Sequence, residues 1–186
     1  MSEPLAVPAN PELSPGFDRA RRVSRTMTVL LAIGFWVTLA WLIASSLLLF
    51  WPEAGGWGSV AGGTVIPPAS LSFGSRAGAI FAIFLGTAPS VLILRHGERV
   101  FAHFAKGEVF AAEAIAHIRS AGIWLIVAAF APAVEQISFN LFAAVRPVAH
   151  NLDLRPIMLF FGIAVYVAAY VMAEARRIAD DNASFV

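Results

Sequence analysis

The sequence predicts an all-α integral membrane protein, a four-helix transmembrane bundle with a cytoplasmic helical elbow between spans two and three. Of its 186 residues, 59% are hydrophobic and 13% are charged, whereas soluble domains average about 45–50% apolar and about 25% charged residues. Four apolar runs approach the roughly 20 residues that a helix needs to cross a bilayer. The long mixed segment between the second and third runs predicts the elbow.

The composition also excludes several classes of function. The chain has no cysteine, which excludes disulfides, thiol catalysis and thiolate metal sites. Its net charge of +1 provides no field that would attract nucleic acid. The chain has neither a glycine-rich phosphate loop nor a Ser-His-Asp order, so we expect no enzyme. We also expect no bound cofactor and, from the net charge, no nucleic acid partner.

The first 25 residues predict a disordered, basic and cytoplasmic segment. Its first part is interrupted by Pro4, Pro8, Pro11 and Pro15, a spacing that disfavours a helix. Four arginines follow before residue 26. Residues 26–186 are predicted to form one four-span membrane domain.

The spans are predicted at about 27–51, 77–94, 121–142 and 156–173. The first run is longer and begins later than the apolar region of a cleaved signal peptide, about 7–15 residues, so we predict a retained span. The second span is short and contains Pro89. Residues 52–76 are rich in glycine and proline and predict a loop on the outer side.

The basic residues predict the orientation. With the N-terminus inside, ten of the thirteen Lys and Arg residues fall on the inner side, as the positive-inside rule requires. Both termini and the elbow are therefore predicted to be cytoplasmic.

A stripe of small residues lies along the second span. Gly78, Ala82, Gly86 and Ser90 are spaced four apart and would let another helix backbone approach closely. The stripe is either a dimerisation face or a face that packs against a neighbouring span of the same chain. We favour packing within the chain on general grounds.

The elbow, residues 95–122, predicts two helical segments joined at Gly107. The second span continues as a helix to about Ala105, and Gly107 can adopt the left-handed conformation that ends it. A second short helix then runs into the third span. The apolar stripe of the first segment can lie in the headgroup layer, with its basic residues near anionic lipid.

Two stretches carry a resemblance to a known family. The elbow run Lys106–Phe110, followed by Glu113 and Arg119, and the C-terminal stretch from residue 174 to 186 resemble the bacterial domain of unknown function 2975 family (DUF2975). Ala111 and Ala112 stand where members commonly have a capping Ser or Thr. The resemblance implies a small four-span protein of the bacterial inner membrane, with no known activity.

The predicted topology puts both stretches on one side of the membrane, where we expect one interaction surface. We call this set the elbow surface. Its members are Lys106, Gly107, Glu108, Phe110, Glu113, Arg119, Glu174, Arg176, Arg177, Asp180, Asp181 and Asn182. We expect the last three near Arg99 and Arg119, and Phe185 and Val186 against the elbow. Membrane lipid and a protein partner, or a second copy of the chain, would bind there.

A polar group interrupts the third span. Glu135, Gln136 and Asn140 lie within an apolar run, where a carboxylate is costly unless it is paired, hydrated or protonated. One interpretation is a proton or ion site of a small carrier or channel subunit. The other, which we favour, is a carboxyl that is neutral or lies near the outer interface, with Arg146 or Arg155 close by.

The histidines predict no haem, because none lies inside a span. His96, His103 and His117 belong to the elbow and could bind zinc if the hairpin brought them together; surface histidines are the favoured interpretation. A non-catalytic regulatory, signalling or accessory subunit is therefore the first functional hypothesis. The carrier or channel subunit is the alternative.

Overall fold

Four long helices make up most of the chain. The structure, a computed structural model, describes residues 15–51, 59–61, 64–66, 71–142 and 154–184. The helices are α1 (Pro15–Phe50), α2 (Phe73–Lys106), α3 (Ala112–Phe142) and α4 (Pro156–Ala183). Each is long and apolar enough to cross a membrane, so the predicted all-α class with four spans is confirmed.

Helix α1 begins ten residues before the predicted end of the disordered segment. Residues 15–25 are helical, so the prediction of disorder was wrong for them, while residues 1–14 lie outside the described residues. Proline is tolerated in the first turn of a helix, and Asp18 in that turn complements the helix dipole. Residues 17–33 contain no glycine or proline, so the basic segment continues the helix of the first span.

The connection between α1 and α2 contains two short strands, which the sequence analysis assigned to a loop. Strands β1 (Ser59–Ala61) and β2 (Thr64–Ile66) pair antiparallel, with Ser59 opposite Ile66. Helix α2 then begins at Phe73, earlier than the predicted residue 77, because Ser72 caps it. The Ser72 hydroxyl accepts a hydrogen bond from the backbone N–H of Ser75 at 3.2 Å, a standard N-cap contact.

The main helix contacts join neighbours in the sequence: α1 packs on α2, α2 on α3 and α3 on α4. Leu49 of α1 packs against the fully buried Ala79 and Ala82 of α2, where short side chains let the helices approach closely. Gly86 meets Glu135 of α3. Two members of the small-residue stripe, Ala82 and Gly86, thus contact the chain's own helices, which favours packing within the chain.

Helices α3 and α4 cross in closest contact at Gly122 and Gly162. A Cβ atom added to Gly162 would lie 2.7 Å from the backbone nitrogen of Ile126 and 2.9 Å from the carbonyl oxygen of Gly122. A Cβ added to Gly122 would lie 2.8 Å from the backbone nitrogen of Tyr166. Because these neighbours are backbone atoms, the crossing has no room for a side chain on either glycine.

Large apolar side chains cover the outer faces of the first and last helices. On α1 these include Trp36, Val37 and Trp41, and on α4 Phe160, Phe161 and Tyr170. Soluble monomers rarely expose such continuous apolar areas, whereas lipid-facing helices require them. The outer faces therefore agree with the membrane assignment made from composition.

Candidate functional site at the elbow

The elbow is a tight reversal between α2 and α3. Gly107 has a φ of 87°, the left-handed conformation that the sequence predicts for it. Its N–H donates to the carbonyl of Phe104, and the N–H of Glu108 donates to the carbonyl of His103, both at 3.0 Å. This pair of hydrogen bonds is the Schellman motif, so α2 ends cleanly and residues 108–111 lead directly into α3.

Arginines from the first and last helices bind the backbone of the elbow from two sides. The Arg21 Nε of α1 donates to the carbonyl of Ala105 at 3.1 Å. The Arg176 guanidinium of α4 donates to the carbonyl of Phe110, also at 3.1 Å. Both acceptors belong to the turn or to the last turn of α2, where carbonyls lack helical partners. The basic segment, the elbow and α4 therefore meet at one end of the molecule.

Most of the elbow surface is open to solvent. Nine of its members are exposed, while Gly107, Glu174 and Arg176 are half-buried. The Phe110 side chain is 58% exposed beside the bond that its own carbonyl accepts from Arg176. The structure thus brings the two predicted stretches together through Arg176 and Phe110.

The acidic end of α4 does not reach the arginines that we expected it to contact. Asp180 lies 3.5 Å from Arg176, and Glu174 lies 2.6 Å from Arg177, both within α4. Over the described part of the chain, Arg99 and Arg119 form no ion pair with Asp180 or Asp181. Among the described residues, the acidic side chains Asp180 and Glu174 pair instead with arginines of their own helix. Phe185 and Val186 lie outside the described residues.

Three histidines cluster between α2 and α3 beside the turn. The Nδ1 atoms of His96 and His117 lie 3.1 Å apart, and the His103 ring centroid lies 6.3 Å from that of His117. Two carboxylates face His103: Glu108 lies 2.9 Å from its Nδ1, and Glu113 lies 3.6 Å from its Nε2. The hairpin thus brings the imidazoles together, yet within the described ranges no three His, Asp or Glu side chains are placed to hold a metal ion.

The intramembrane polar group lies on the other half of α3. The Glu135 side chain packs directly on Gly86 of α2, and Arg155 acts on it electrostatically. Arg155 is one of the two partners that the sequence suggested; Arg146 lies outside the described residues. Gln136 and Asn140 are both half-buried on the same helix, one turn apart.

A backbone hydrogen bond fixes where α4 begins against α3. The Ala129 carbonyl of α3 accepts a hydrogen bond from the Arg155 backbone N–H at 3.1 Å. Helix α4 therefore begins level with Ala129. Since α3 continues for 13 residues beyond Ala129, or roughly 20 Å, the start of α4 lies beside the second half of α3, which carries Glu135.

Sequence reasoning missed two features of this arrangement. The sequence contains an indication of the Gly122–Gly162 crossing, since an isolated glycine inside an apolar helix often marks close packing. It contains a weaker indication of the arginine contacts with the elbow carbonyls, because cations are favoured near helix C-termini. Neither signal identifies the partner helix, which depends on how the four helices are arranged.

The fold and the site define the class of protein, a chain with four helices able to cross a membrane that meet at a polar elbow. Comparison with protein-family models, with curated proteins and with solved structures found no match. The resemblance to the domain of unknown function 2975 family stays a prediction.

Proposed function

We propose that this protein is a non-catalytic regulatory, signalling or accessory subunit of the bacterial inner membrane that acts through its elbow surface. The observation that carries the proposal is the pair of arginine contacts on the elbow. Because Arg21 of α1 and Arg176 of α4 bind the carbonyls of Ala105 and Phe110, three separate segments form one continuous surface.

The chemistry of that surface supports binding to a protein. Protein interfaces are enriched in aromatic and Arg side chains with a polar rim. Here the exposed Phe110 accepts a hydrogen bond from Arg176 through its carbonyl, and Lys106, Glu108 and Glu113 of the same elbow are exposed. The elbow surface therefore combines an exposed aromatic side chain with charges of both signs.

The distribution of basic residues supports a cytoplasmic position for this end. Arg19, Arg22 and Arg25 are exposed on the first turns of α1, near the last turn of α2, which Arg21 contacts. Juxtamembrane basic residues attract anionic lipid, by about 1 kcal/mol per Lys or Arg near the surface. Lipid headgroups would thus orient the elbow surface toward a cytoplasmic partner.

A photoreactive residue at position 110 tests the proposal in native membranes. We expect it to capture one partner, or a second copy of the chain, whereas the same residue at Phe73, exposed at the opposite end of α2, captures neither. Arg176→Ala should reduce capture at least about fivefold, because losing a hot-spot contact costs more than about 1 kcal/mol. Arg19→Ala, which removes an exposed arginine without a contact to the elbow backbone in the described residues, is the matched control for Arg21→Ala.

Two results would contradict the proposal. One is equal capture of a partner from positions 110 and 73, and the other is capture at position 110 that neither Arg21→Ala nor Arg176→Ala reduces. Lipid adducts alone at position 110 would assign the surface to the membrane rather than to a partner.

The alternative function is a small proton- or ion-coupled carrier or channel subunit that uses Glu135, Gln136 and Asn140. The observation that favours it is the packing of Glu135 on Gly86 with the charge of Arg155 acting on it, since ionisable residues inside membranes commonly mark ion pathways. Glu135→Gln discriminates between the two functions. If the protein acts through its elbow surface, Glu135→Gln should leave capture at position 110 intact. If the protein is a carrier or channel subunit, Glu135→Gln should abolish the cellular function, and Arg176→Ala should leave that function unchanged.

A further inference from the structure

The contact between His96 and His117 joins α2 to α3 beside the elbow turn. Their Nδ1 atoms lie 3.1 Å apart and their ring centroids 5.3 Å apart. Both residues are half-buried. The two rings are 21 residues apart in the sequence, so their contact ties together the two helices that carry the elbow surface.

A hydrogen bond between two Nδ1 atoms depends on protonation. One nitrogen must carry the hydrogen and the other must offer a lone pair, and a neutral imidazole has one nitrogen of each kind. The contact can therefore form when both rings are neutral or when one is protonated. When both rings are imidazolium, both Nδ1 atoms are donors, no acceptor remains, and the two positive charges repel each other.

The charged groups around His96 and His117 do not offset the repulsion between two protonated rings. Arg99 and His103 of α2 add positive charge near His117, and Glu113 is the carboxylate that acts on it. Arg95 is already bound to Glu98 at 2.6 Å. Leu31 of α1 packs at Gly97 beside His96, and residues 28–38 around it contain no ionisable side chain. On α4, Tyr166 packs at Gly122 and Arg176 contacts Phe110. The ionisable side chains between them are Tyr170 and Glu174, and Glu174 is already paired with Arg177.

His103 does not take part in the His96–His117 hydrogen bond. Its ring lies between the carboxylates of Glu108 and Glu113, whose nearest oxygens are 2.9 Å and 3.6 Å away. His103 therefore contacts the turn around Gly107, and a substitution of this residue is a control for the His96–His117 contact.

We propose that His96 and His117 form a proton-sensitive switch that holds α2 and α3 together when at most one ring is protonated and separates them when both are. The inference rests on the proposed function, because it assigns regulation by protons to the same elbow surface. Imidazole ordinarily titrates at about pH 6.5, so the separation occurs as the pH falls below that region.

Nitrogen NMR of the full chain in lipid nanodiscs, with labelled histidine, tests the switch directly. At about pH 8 we expect a scalar coupling between the two Nδ1 atoms across the hydrogen bond, and at about pH 5 we expect its loss together with imidazolium signals from both rings. A coupling that persists when both rings are protonated would overturn the proposal.

The absence of native cysteine allows a second measurement of the separation itself. Ala114 is fully buried and Ala116 is exposed, both on α3 within one turn of His117. The maleimide reaction rate of Ala114→Cys divided by that of Ala116→Cys cancels the intrinsic pH dependence of the thiol. This ratio should rise on the order of tenfold from about pH 8 to about pH 5, within the usual range of coupling between sites.

Two histidine variants complete the test. His117→Gln leaves one titratable ring and an amide that can accept from it, so the ratio should stay constant. His103→Gln changes a neighbouring ring outside the His96–His117 contact and should retain the rise. A ratio that stays constant in the protein with all its histidines in place would overturn the switch proposal. Capture at position 110 does not depend on the switch, so that result would leave the proposed function standing.

Discussion

Gly162→Ala should lower the free energy of unfolding by about 2 kcal/mol, the middle of the range for overpacked contacts. The added methyl group would lie 2.7 Å from the backbone nitrogen of Ile126 and 2.9 Å from the carbonyl oxygen of Gly122. Backbone atoms cannot change rotamer, so α4 must move away from α3 along the whole crossing. The loss of packing outweighs the gain in helix propensity, about 1 kcal/mol for this exchange.

Gly34→Ala is the matched control, because it makes the same chemical change in another helix. Its methyl group would lie 3.5 Å from the Leu94 side chain, an ordinary van der Waals distance. We therefore expect unchanged or higher stability for Gly34→Ala. Titration with SDS in mixed micelles measures both variants; equal losses in the two, or no loss in Gly162→Ala, would contradict the packing described at this crossing.

Gly122→Ala perturbs the same crossing from the other side. Once one methyl group has separated the helices, the second should cost less. The double variant should therefore be more stable than the sum of the single effects predicts.

Gly86→Ala should destabilise the protein by displacing Glu135, at a cost of about 1–3 kcal/mol. The new Cβ atom would collide with the Oε2 of Glu135 and would lie 2.8 Å from its Cδ and 3.0 Å from its Cβ. The carboxylate would have to leave its present position near Arg155 and find another within an apolar run, where an unpaired charge is costly.

The dependence on Glu135 can be measured with a double-mutant cycle. In the Glu135→Ala background the methyl group of Gly86→Ala meets no carboxylate, and most of its cost should disappear. Glu135→Gln keeps the side-chain length, so the cost should remain and should show that the collision is steric. If Gly86→Ala is equally harmful in all three backgrounds, Glu135 does not pack on Gly86.

The sequence predicted the four helices because length and apolar composition alone decide whether a segment can span a membrane. Gly107 was also predictable, since a left-handed helix end favours glycine in almost any context. The start of α1 was not, because the basic residues 18–25 are compatible with both a helix and a disordered tail. Only continuity with the apolar run makes them helical.

The partners of individual residues were beyond what spacing can show. Gly86 was placed on a packing face, yet the sequence could not show that the face meets Glu135. Arg155 was one of two candidates for Glu135, and the position of Arg155 depends on its backbone hydrogen bond to Ala129 of another helix. The His96–His117 contact required the hairpin to close, which the sequence allowed but did not require.

We propose that the basic segment, the elbow and the end of α4 share the cytoplasmic side of the membrane and form one surface there. Because the chain has no cysteine, single cysteines at Arg19, Lys106 and Asp181 can be labelled with a membrane-impermeant maleimide. All three residues are exposed, and Phe73→Cys reports on the other end of α2.

We expect Phe73→Cys to be labelled in intact cells whose outer membrane has been made permeable. The other three cysteines should be labelled only after the inner membrane is opened. Labelling of Lys106→Cys from outside, or of Arg19→Cys and Asp181→Cys from different sides, would contradict the claim that these segments form one cytoplasmic surface.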